Sequence, residues 1–531
     1  MNRKTLVLPA LAALLVPILS GCGGVESQDS GGEAIVVGTT DRFSVDEDSP
    51  APFDPAAAYD IASWNVMRST FQTLLRPPRS GTEPVPEAAE KCEFTDKQGE
   101  QYRCTLRSDL TFSNGNALTA EDVEFSINRM LDIGEKLGPA SLLNNLDKVE
   151  TAGENEVVFH LKKPDATFPF KLATPAAAIV DSEVYPRNGY LEGTEVVGSG
   201  AYVLSSYDQS AAVGVFERNP EYRGTLEIEN ERIELRTFDS AENMEKALQK
   251  GSVDVMSRTL TPEQVLRLEH SDSGVDLVES PGQEIRYLVF DTDAPVAGQD
   301  AVRRAMAQVI DRKKLVRDVY QRTTDPLYSI VPTGLLGHRN SFFNEYGDPD
   351  VPAARDMLEE AGVDTPVRMT LNYTTDHYGA VTEREFETLQ QQLNSTGLFE
   401  VDIEGTPWSK FRPSATGGKY EVYGFGWFPD FPDADNFMAP FFAKDNFLQT
   451  PYVDEEIRDR IIPQTRRETN RAAAGQSYGR AQDVVAEDVP VLPLWQGNQY
   501  IAVRDGITGA EWALNSASVM QLWELGRGVA G

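Results

Sequence analysis

The segment Gly426-Trp427-Phe428-Pro429-Asp430-Phe431 has residue types that could bind a charged organic solute. Asp430 is an acceptor-only anion, which suits a free amine, and such a charge-assisted pair gains strength where water is excluded. Trp427 offers a broad apolar wall, and the backbone of an extended segment can hydrogen-bond a peptide main chain whatever its side chains. Since Pro and Asp are turn formers, the residue types alone favour a solvated turn for the run from Pro429 to Asp435.

Motifs of common enzymes and metal sites are missing from the sequence. It contains no Gly-x-Ser-x-Gly, no Gly-x-x-x-x-Gly-Lys-Ser/Thr and no His-Glu-x-x-His. Asp433 and Asp435 lack the Gly and the bidentate Glu of a calcium loop, and the four histidines stand alone. We therefore expect no enzymatic activity, no metal and no cofactor. A secreted hydrolase that works with two carboxylates remains the alternative from another class.

Composition narrows the class of protein. The 531 residues include 83 acidic and 49 basic side chains, a formal net charge of −34. This charge argues against nucleic acid as a partner, because the phosphate backbone requires a basic surface. Single hydrophobic cores stop growing at roughly 250–300 residues, so the chain should form more than one lobe.

The N-terminus has the pattern of an export signal. Arg3 and Lys4 precede an apolar stretch of roughly fourteen residues, too short for the roughly 20 that span a bilayer. Leu19-Ser20-Gly21-Cys22 resembles the lipobox of bacterial lipoproteins. This resemblance implies that residues 1–21 are removed and that Cys22 carries a lipid anchor. The polar stretch 22–33 would then be a flexible tether. An ordinary signal peptide with a chance Cys is the alternative.

Cys92 and Cys104 are the two remaining cysteines. The segment between them has the pattern of a strand, a Gly-containing turn and a strand, and an exported protein meets oxidising conditions. A structural disulfide across this hairpin is therefore the prediction, and two free thiols are the alternative. Two cysteines alone supply too few ligands for a zinc site.

Helical and strand patterns alternate along the rest of the chain. Thr119 and Asp122 have the spacing of a capping box, and apolar residues follow at helical spacing from Val123. A helix is predicted from Ser240 to Gln249, ending before Gly251. The sequence therefore predicts a mixed α/β protein of several lobes.

Several collinear segments resemble the family 5 extracellular solute-binding proteins, the peptide-, dipeptide- and nickel-binding components of ABC importers. The signature-like block consists of Leu106-Arg107, Phe112-Ser113-Asn114-Gly115 and the run from Leu118 to Arg129. Similar blocks follow in the same order at 198–202, 287–292, 302–315, 427–437 and 489–494. The resemblance extends from about Ile35 to Trp523.

The resemblance implies an α/β, type II periplasmic-binding-protein-like fold with three lobes and a hinged ligand cleft. Lobe I would comprise 34–70, 193–283 and 496–531, lobe II 71–192 and lobe III 284–495. The chain crossings near 283–286 and 495–498 would form the hinge, and the lobes would close on a ligand as rigid bodies.

The resemblance also implies a set of ligand-binding residues. In peptide-binding members a Gly-Trp-x-x-Asp-aromatic run lies extended in the cleft, and its Asp pairs with the peptide's α-ammonium. The set predicted from it and from neighbouring strand ends is Asp430, Trp427, Gly426, Phe428, Trp408, Tyr373, Thr40 and Phe43. Arg412 and His377 are candidates for a carboxylate anchor, because Gly424 stands where some relatives carry an Arg.

The resulting prediction is a lipid-anchored receptor on the outer face of the cytoplasmic membrane. It would act as a monomer, capture a short peptide and deliver it to an ABC permease. A metal chelate, an oligosaccharide or another amine-bearing solute are the alternative cargoes.

Overall fold

The computed structural model describes residues 34–43, 45, 49–258, 260–270, 274–444 and 446–528. The predicted signal peptide, the lipidation site Cys22 and the tether 22–33 lie outside the described residues, as do 529–531. Within the described ranges, none of the helices combines the length and the apolar character needed to cross a membrane.

Helices and strands alternate through the described chain, as the sequence predicts. The strands are β1 (Ile35–Thr39), β2 (Leu75–Arg76), β3 (Val85–Pro86), β4 (Ala89–Phe94), β5 (Gln101–Leu106), β6 (Leu146–Thr151), β7 (Glu156–Leu161), β8 (Tyr202–Asp208), β9 (Val213–Arg218), β10 (Arg232–Thr237), β11 (Val255–Ser257), β12 (Val275–Phe290), β13 (Thr324–Pro326), β14 (Val367–Thr374), β15 (Phe399–Thr406), β16 (Val422–Trp427), β17 (Val491–Arg504), β18 (Ile507–Thr508) and β19 (Gly526–Arg527).

The α-helices are α1 (Ile61–Thr70), α2 (Ala120–Ile133), α3 (Phe168–Lys171), α4 (Ala241–Lys250), α5 (Pro262–Glu269), α6 (Asp300–Val309), α7 (Arg312–Asp318), α8 (Ser341–Tyr346), α9 (Val351–Glu360), α10 (Thr382–Ser395), α11 (Trp408–Thr416), α12 (Ala439–Phe442), α13 (Ile462–Arg467) and α14 (Arg471–Asp488). Short 3-10 turns lie at Pro139–Leu143, Pro175–Ala177, Ala434–Phe437 and Leu522–Glu524, and a π turn lies at Glu456–Ile461.

Local sequence signals account for many of these boundaries. Thr119 and Asp122 form the predicted capping box at the start of α2. Ser240 caps α4, and Gly251 ends that helix in the left-handed region with φ at 77°. Trp408 is the first residue of α11.

One large mixed sheet runs through most of the molecule. Its strand order is β15-β14-β16-β12-β17-β11-β1-β10-β9-β8, and β13 pairs with β17. The long strands β12 and β17 are antiparallel, and their pairing shifts register between Pro281 and Ile285 and again between Arg286 and Tyr287. One hydrophobic core packs on the Tyr287–Phe290 side of this irregularity and another on the side of Ile501 and Val503. The predicted hinge falls at this irregularity and stays a prediction.

A separate four-stranded antiparallel sheet, in the order β4-β5-β7-β6, packs with α2 around a third core. Cys92 and Cys104 occupy paired positions on β4 and β5 and form a disulfide, so the predicted pairing is confirmed. Arg129 of α2 reaches Asp54 with two hydrogen bonds of 2.8 and 2.7 Å, and both side chains are buried. This ion pair fixes α2 against the segment that leads into α1.

Candidate ligand-binding cleft

A cavity of about 110 Å³ lies between the two cores of the large sheet. One wall is the start of α1 with the residues before it, Tyr59 and Asp60. The opposite wall is the end of β16 and the chain that follows, Phe425 to Asp430. The segment that resembles a ligand-binding run therefore lines a cavity and does not form an exposed turn.

Asp430 is held in this cavity by two hydrogen bonds to the same oxygen. The Tyr59 hydroxyl donates to Oδ2 at 3.1 Å, and the Asn436 amide donates to it at 2.8 Å. Asn436 in turn accepts from the Asp430 backbone N–H at 2.8 Å and from the Trp427 indole at 3.1 Å. No hydrogen bond from another described residue reaches Oδ1. One oxygen thus orients the carboxylate, and the other remains available to a donor from a ligand.

Burial raises the pKa of Asp430 to about 6, because the charged form loses water. The hydrogen bonds from Asn436 and Tyr59 and the nearby Arg68 guanidinium favour the charged form and limit this rise. At neutral pH the group is therefore mostly ionised but poorly solvated, and a cationic ligand group would relieve that cost.

The β16 strand has an unpaired edge beside Asp430. Along its whole length β16 pairs with β12, from Val422 opposite Phe290 to Trp427 opposite Ile285. On its other side the pairing with β14 stops at Tyr423. Among the described residues no strand pairs with that edge of 424–427. An extended chain can add to such an edge through main-chain hydrogen bonds.

Glycine at position 426 makes room for a buried arginine. A Cβ at Gly426 would overlap the guanidinium of Arg286 and crowd the Tyr378 ring. Arg286 lies 3.9 Å from the Tyr378 ring centroid and 5.5 Å from that of Phe428, and it pairs with Glu284 at 2.5 Å. Gly426 therefore acts by letting this cation pack against the strand.

Position 424 cannot carry an arginine in this fold. A Cβ there would overlap the ring of Phe386 from α10. A carboxylate anchor has to come from another element, and Arg412 and His377 both line the cavity. Burial, with the cations Arg286, Arg258 and Arg412, lowers the pKa of His377 to about 3. His377 is therefore neutral at pH 7 and Arg412 is the lining cation.

Trp408 reaches the cavity from the first turn of α11. Its ring stacks on His377 with centroids 3.8 Å apart and planes 3° from parallel. Asp376 fixes the start of this helix, because its carboxylate accepts from the Trp408 backbone N–H at 2.7 Å. The stack forms a flat aromatic wall beside the open strand edge.

Three predicted residues lie outside the cavity. Tyr373 points to the opposite side of β14 and stacks on Phe386, with centroids 4.8 Å apart. Phe43 is buried against Phe53 at 5.1 Å. Thr40 follows β1 and does not line the cavity. Their part in ligand binding stays untested, and the geometry gives no reason to propose it.

The lining or supporting residues that were not predicted from the sequence include Tyr59, Tyr378, Asn436 and Phe447. Only Asn436 is close in sequence to Asp430. The Asp-rich run 430–435 is a sequence signal that could have drawn attention to Asn436, the residue that follows it.

Comparisons with known proteins identify the family and the fold of the chain. The model of the family described as bacterial extracellular solute-binding proteins, family 5 Middle, matches residues 83–449. The chain is 24% identical over 482 residues to the "Probable D,D-dipeptide-binding periplasmic protein DdpA" of Escherichia coli (strain K12), covering 87% of this chain and 89% of that protein. It is 23% identical over 524 residues to the "Oligopeptide-binding protein OppA" of Bacillus subtilis (strain 168), with 93% and 94% covered.

Among solved structures, the dipeptide binding protein from Pseudoalteromonas sp. SM9913 in complex with Met-Leu superposes with a TM-score of 0.81 at 20% identity. The superposition covers 93% of this chain and 100% of that one. The predicted α/β fold of the type II periplasmic binding proteins is confirmed by this likeness. Because the family model spans more than half of the sequence, the chain belongs to the bacterial extracellular solute-binding proteins of family 5.

Proposed function

We propose that this protein is the substrate-binding receptor of an ABC importer, which captures a short peptide in the cleft and delivers it to a membrane permease. The observation that carries the proposal is the position of Asp430. Its carboxylate lies at the end of an unpaired strand edge, with one oxygen oriented by Tyr59 and Asn436.

The amino terminus of the peptide pairs with Asp430. An α-ammonium group supplies the cation that a poorly solvated carboxylate lacks, and the pair is charge-assisted. Tyr59 and Asn436 keep Oδ2 in place, so the ammonium meets a carboxylate that is already oriented.

The peptide main chain extends along the open edge of β16, where backbone groups recognise it without regard to side chains. Arg412 takes the carboxylate at the other end, because it is the cation that lines the cavity. The cavity volume of about 110 Å³ favours a short peptide over a long one. The names of the relatives, which refer to dipeptides and oligopeptides, also favour peptides.

We also propose that the protein is anchored to the membrane by a lipid, on the basis of residues 1–33. The signal-like start and the lipobox-like run ending at Cys22 support a lipid anchor on the outer face of the cytoplasmic membrane. Labelled palmitate fed to cells that express the full chain should be incorporated, and a Cys22→Ser variant should lose the label.

Calorimetry tests the peptide assignment directly. The body that follows Cys22 is refolded to remove carried-over ligand and titrated with pooled di- to pentapeptides, then with the same pool acetylated at the N-terminus. We expect heat from the free pool alone. Silence from both pools would refute peptide binding, and equal binding of both would refute the role of Asp430.

A further inference from the structure

A second cavity, of about 360 Å³, adjoins the ligand cleft. One side consists of residues within 141–171, from the four-stranded-sheet region. The other side consists of residues within 431–467, which follow β16. We call it the basic cavity, for the side chains that line it: Lys162, Lys163, Lys171, Lys444, Arg458, Arg466 and Arg467.

The charge of this lining is opposite to that of the whole chain. Seven lysine and arginine side chains line it against one carboxylate, Asp435, in a protein with 83 acidic and 49 basic residues. Such a reversal concentrates positive potential in one recess of an otherwise negative molecule.

Three of the cations already have carboxylate partners. Lys171 pairs with Asp165 at 2.6 Å, and Arg466 holds Asp435 through hydrogen bonds of 2.9 and 2.8 Å. Arg458 pairs with its neighbour in sequence at 2.6 Å. Asp435 is thus fully engaged and does not neutralise the remaining lining.

The other four cations form a surplus. Lys162 donates to the Asn144 carbonyl at 2.9 Å. Lys163, Lys444 and Arg467 are exposed, and in the described part of the chain no carboxylate lies within ion-pair distance of them; Asp459, which pairs with Arg458, interacts with Lys444 and Lys163 at longer range. Their mutual repulsion would fall when an anion enters the cavity.

The basic cavity touches the ligand cleft at the end where Asp430 lies. Tyr59 and Phe447 line both cavities, and their rings meet edge to face with centroids 5.2 Å apart. Asn436 lines the basic cavity and donates to Asp430 in the cleft. A group attached to the amino-terminal part of a captured ligand would therefore lie at the boundary between the cleft and the basic cavity.

We propose that the basic cavity is an oxyanion subsite that binds the acidic side chain of the first residue of the captured peptide. The proposal rests on the peptide-binding function above and narrows its substrate class to peptides that begin with Asp or Glu. Free phosphate carries the same oxyanion chemistry and is the competing source.

Calorimetry with three matched peptides tests the subsite in a phosphate-free buffer. Glu-Ala-Ala and Gln-Ala-Ala differ only in the charge of the first side chain, and Ala-Ala-Glu moves that charge to the other end. The proteins are the wild type, a Lys163→Gln/Lys444→Gln variant and a matched control, Lys250→Gln. Lys250 is an exposed residue of α4, away from both cavities.

We expect Glu-Ala-Ala to bind the wild type and the control about tenfold more tightly than Gln-Ala-Ala, since several exposed charge pairs act together. The double variant should lose this preference and keep its affinity for Gln-Ala-Ala, and added salt should reduce the preference.

Equal affinity for all three peptides would overturn the subsite while leaving peptide binding intact. A preference for Ala-Ala-Glu, or one that survives in the double variant, would overturn it as well. Inorganic phosphate that binds the wild type without competing with Glu-Ala-Ala would assign the cavity to free oxyanions instead. If none of the peptides binds, the proposed function fails, and the subsite fails with it.

Discussion

Replacing Asp430 with Asn keeps the shape of the side chain and removes its charge. An amide at this position can still accept from Tyr59 and Asn436, so the cavity should keep its geometry. The lost interaction is the pair with the ligand's ammonium. A hydrogen bond to a charged group contributes roughly 1.5–3 kcal/mol, so the Kd for a free peptide should rise roughly ten- to hundredfold.

The raised pKa of Asp430 makes this interaction pH-dependent in a defined direction. The ammonium requires the ionised carboxylate, whose pKa without ligand is about 6. At about pH 5 only roughly one tenth of the protein carries that charge, so binding should weaken about tenfold, or about 1.4 kcal/mol, relative to the plateau. Affinity should fall again above about pH 8, where the α-ammonium itself loses its proton.

Titration calorimetry of one dipeptide between about pH 4.5 and pH 9 measures the expected loss of affinity on the acid side (the acid limb) and on the alkaline side. The wild type should give a bell-shaped affinity profile, and Asp430→Asn should lack the acid limb. Asp402→Asn is the matched control, because Asp402 is an exposed residue of β15 far from the cleft. An acid limb of unchanged size in Asp430→Asn would refute the assignment of the ammonium to this carboxylate.

The raised pKa of Asp430 also affects the stability of the ligand-free fold. Ionisation of this carboxyl should strengthen peptide binding but lower the free energy of unfolding. A carboxyl whose pKa is higher in the folded than in the unfolded state destabilises the fold wherever it is ionised. For Asp430 this penalty is absent below about pH 4, grows up to about pH 6 and is constant above. The difference between the ordinary value of 3.8 and about 6 corresponds to about 3 kcal/mol. Asp430→Asn should stabilise the ligand-free protein by up to that amount at neutral pH, and thermal unfolding at several pH values measures it.

Three further substitutions test the scaffold, each by urea unfolding. Cys92 and Cys104 are 12 positions apart, and changing both to Ser should lower the free energy of unfolding by about 3 kcal/mol. A reducing agent should remove this difference from the wild type. Arg129→Met leaves a buried carboxylate unpaired and should cost about 3–5 kcal/mol; a loss below 1 kcal/mol would contradict a buried pair. Gly426→Ala should displace Arg286, lower the free energy of unfolding by about 1–3 kcal/mol and weaken peptide binding. Unchanged peptide affinity would show that the contact between Gly426 and Arg286 does not contribute to binding.

Local signals in the sequence predicted the elements well. The capping box at Thr119, the turn at Gly251 and the hairpin between Cys92 and Cys104 each depend on residues within about a dozen positions of one another. Asp430 was predicted as a ligand-binding residue because a family resemblance pointed to it. Composition and spacing alone favoured a solvated turn, since Pro and Asp are turn formers.

The parts of the site that depend on distant contacts could not be predicted. Tyr59 is 371 residues from Asp430, and no spacing rule links them. Tyr373 ends β14 as expected, but strand side chains alternate between faces, and the sequence does not say which face meets the cleft. The basic cavity likewise joins two segments about 300 residues apart, each of which is an ordinary stretch of charged residues on its own.

The place of β17 in the large sheet also bears on when the chain can fold. This strand lies between β12 and β11, so without it the sheet separates into two parts. It lies at Val491–Arg504, after all the other strands of this sheet in the sequence, and is therefore synthesised after them. Until then the two parts of the sheet lack their shared strand, and both cores stay incomplete. The topology therefore postpones the compact state of both cores until β17 has been synthesised.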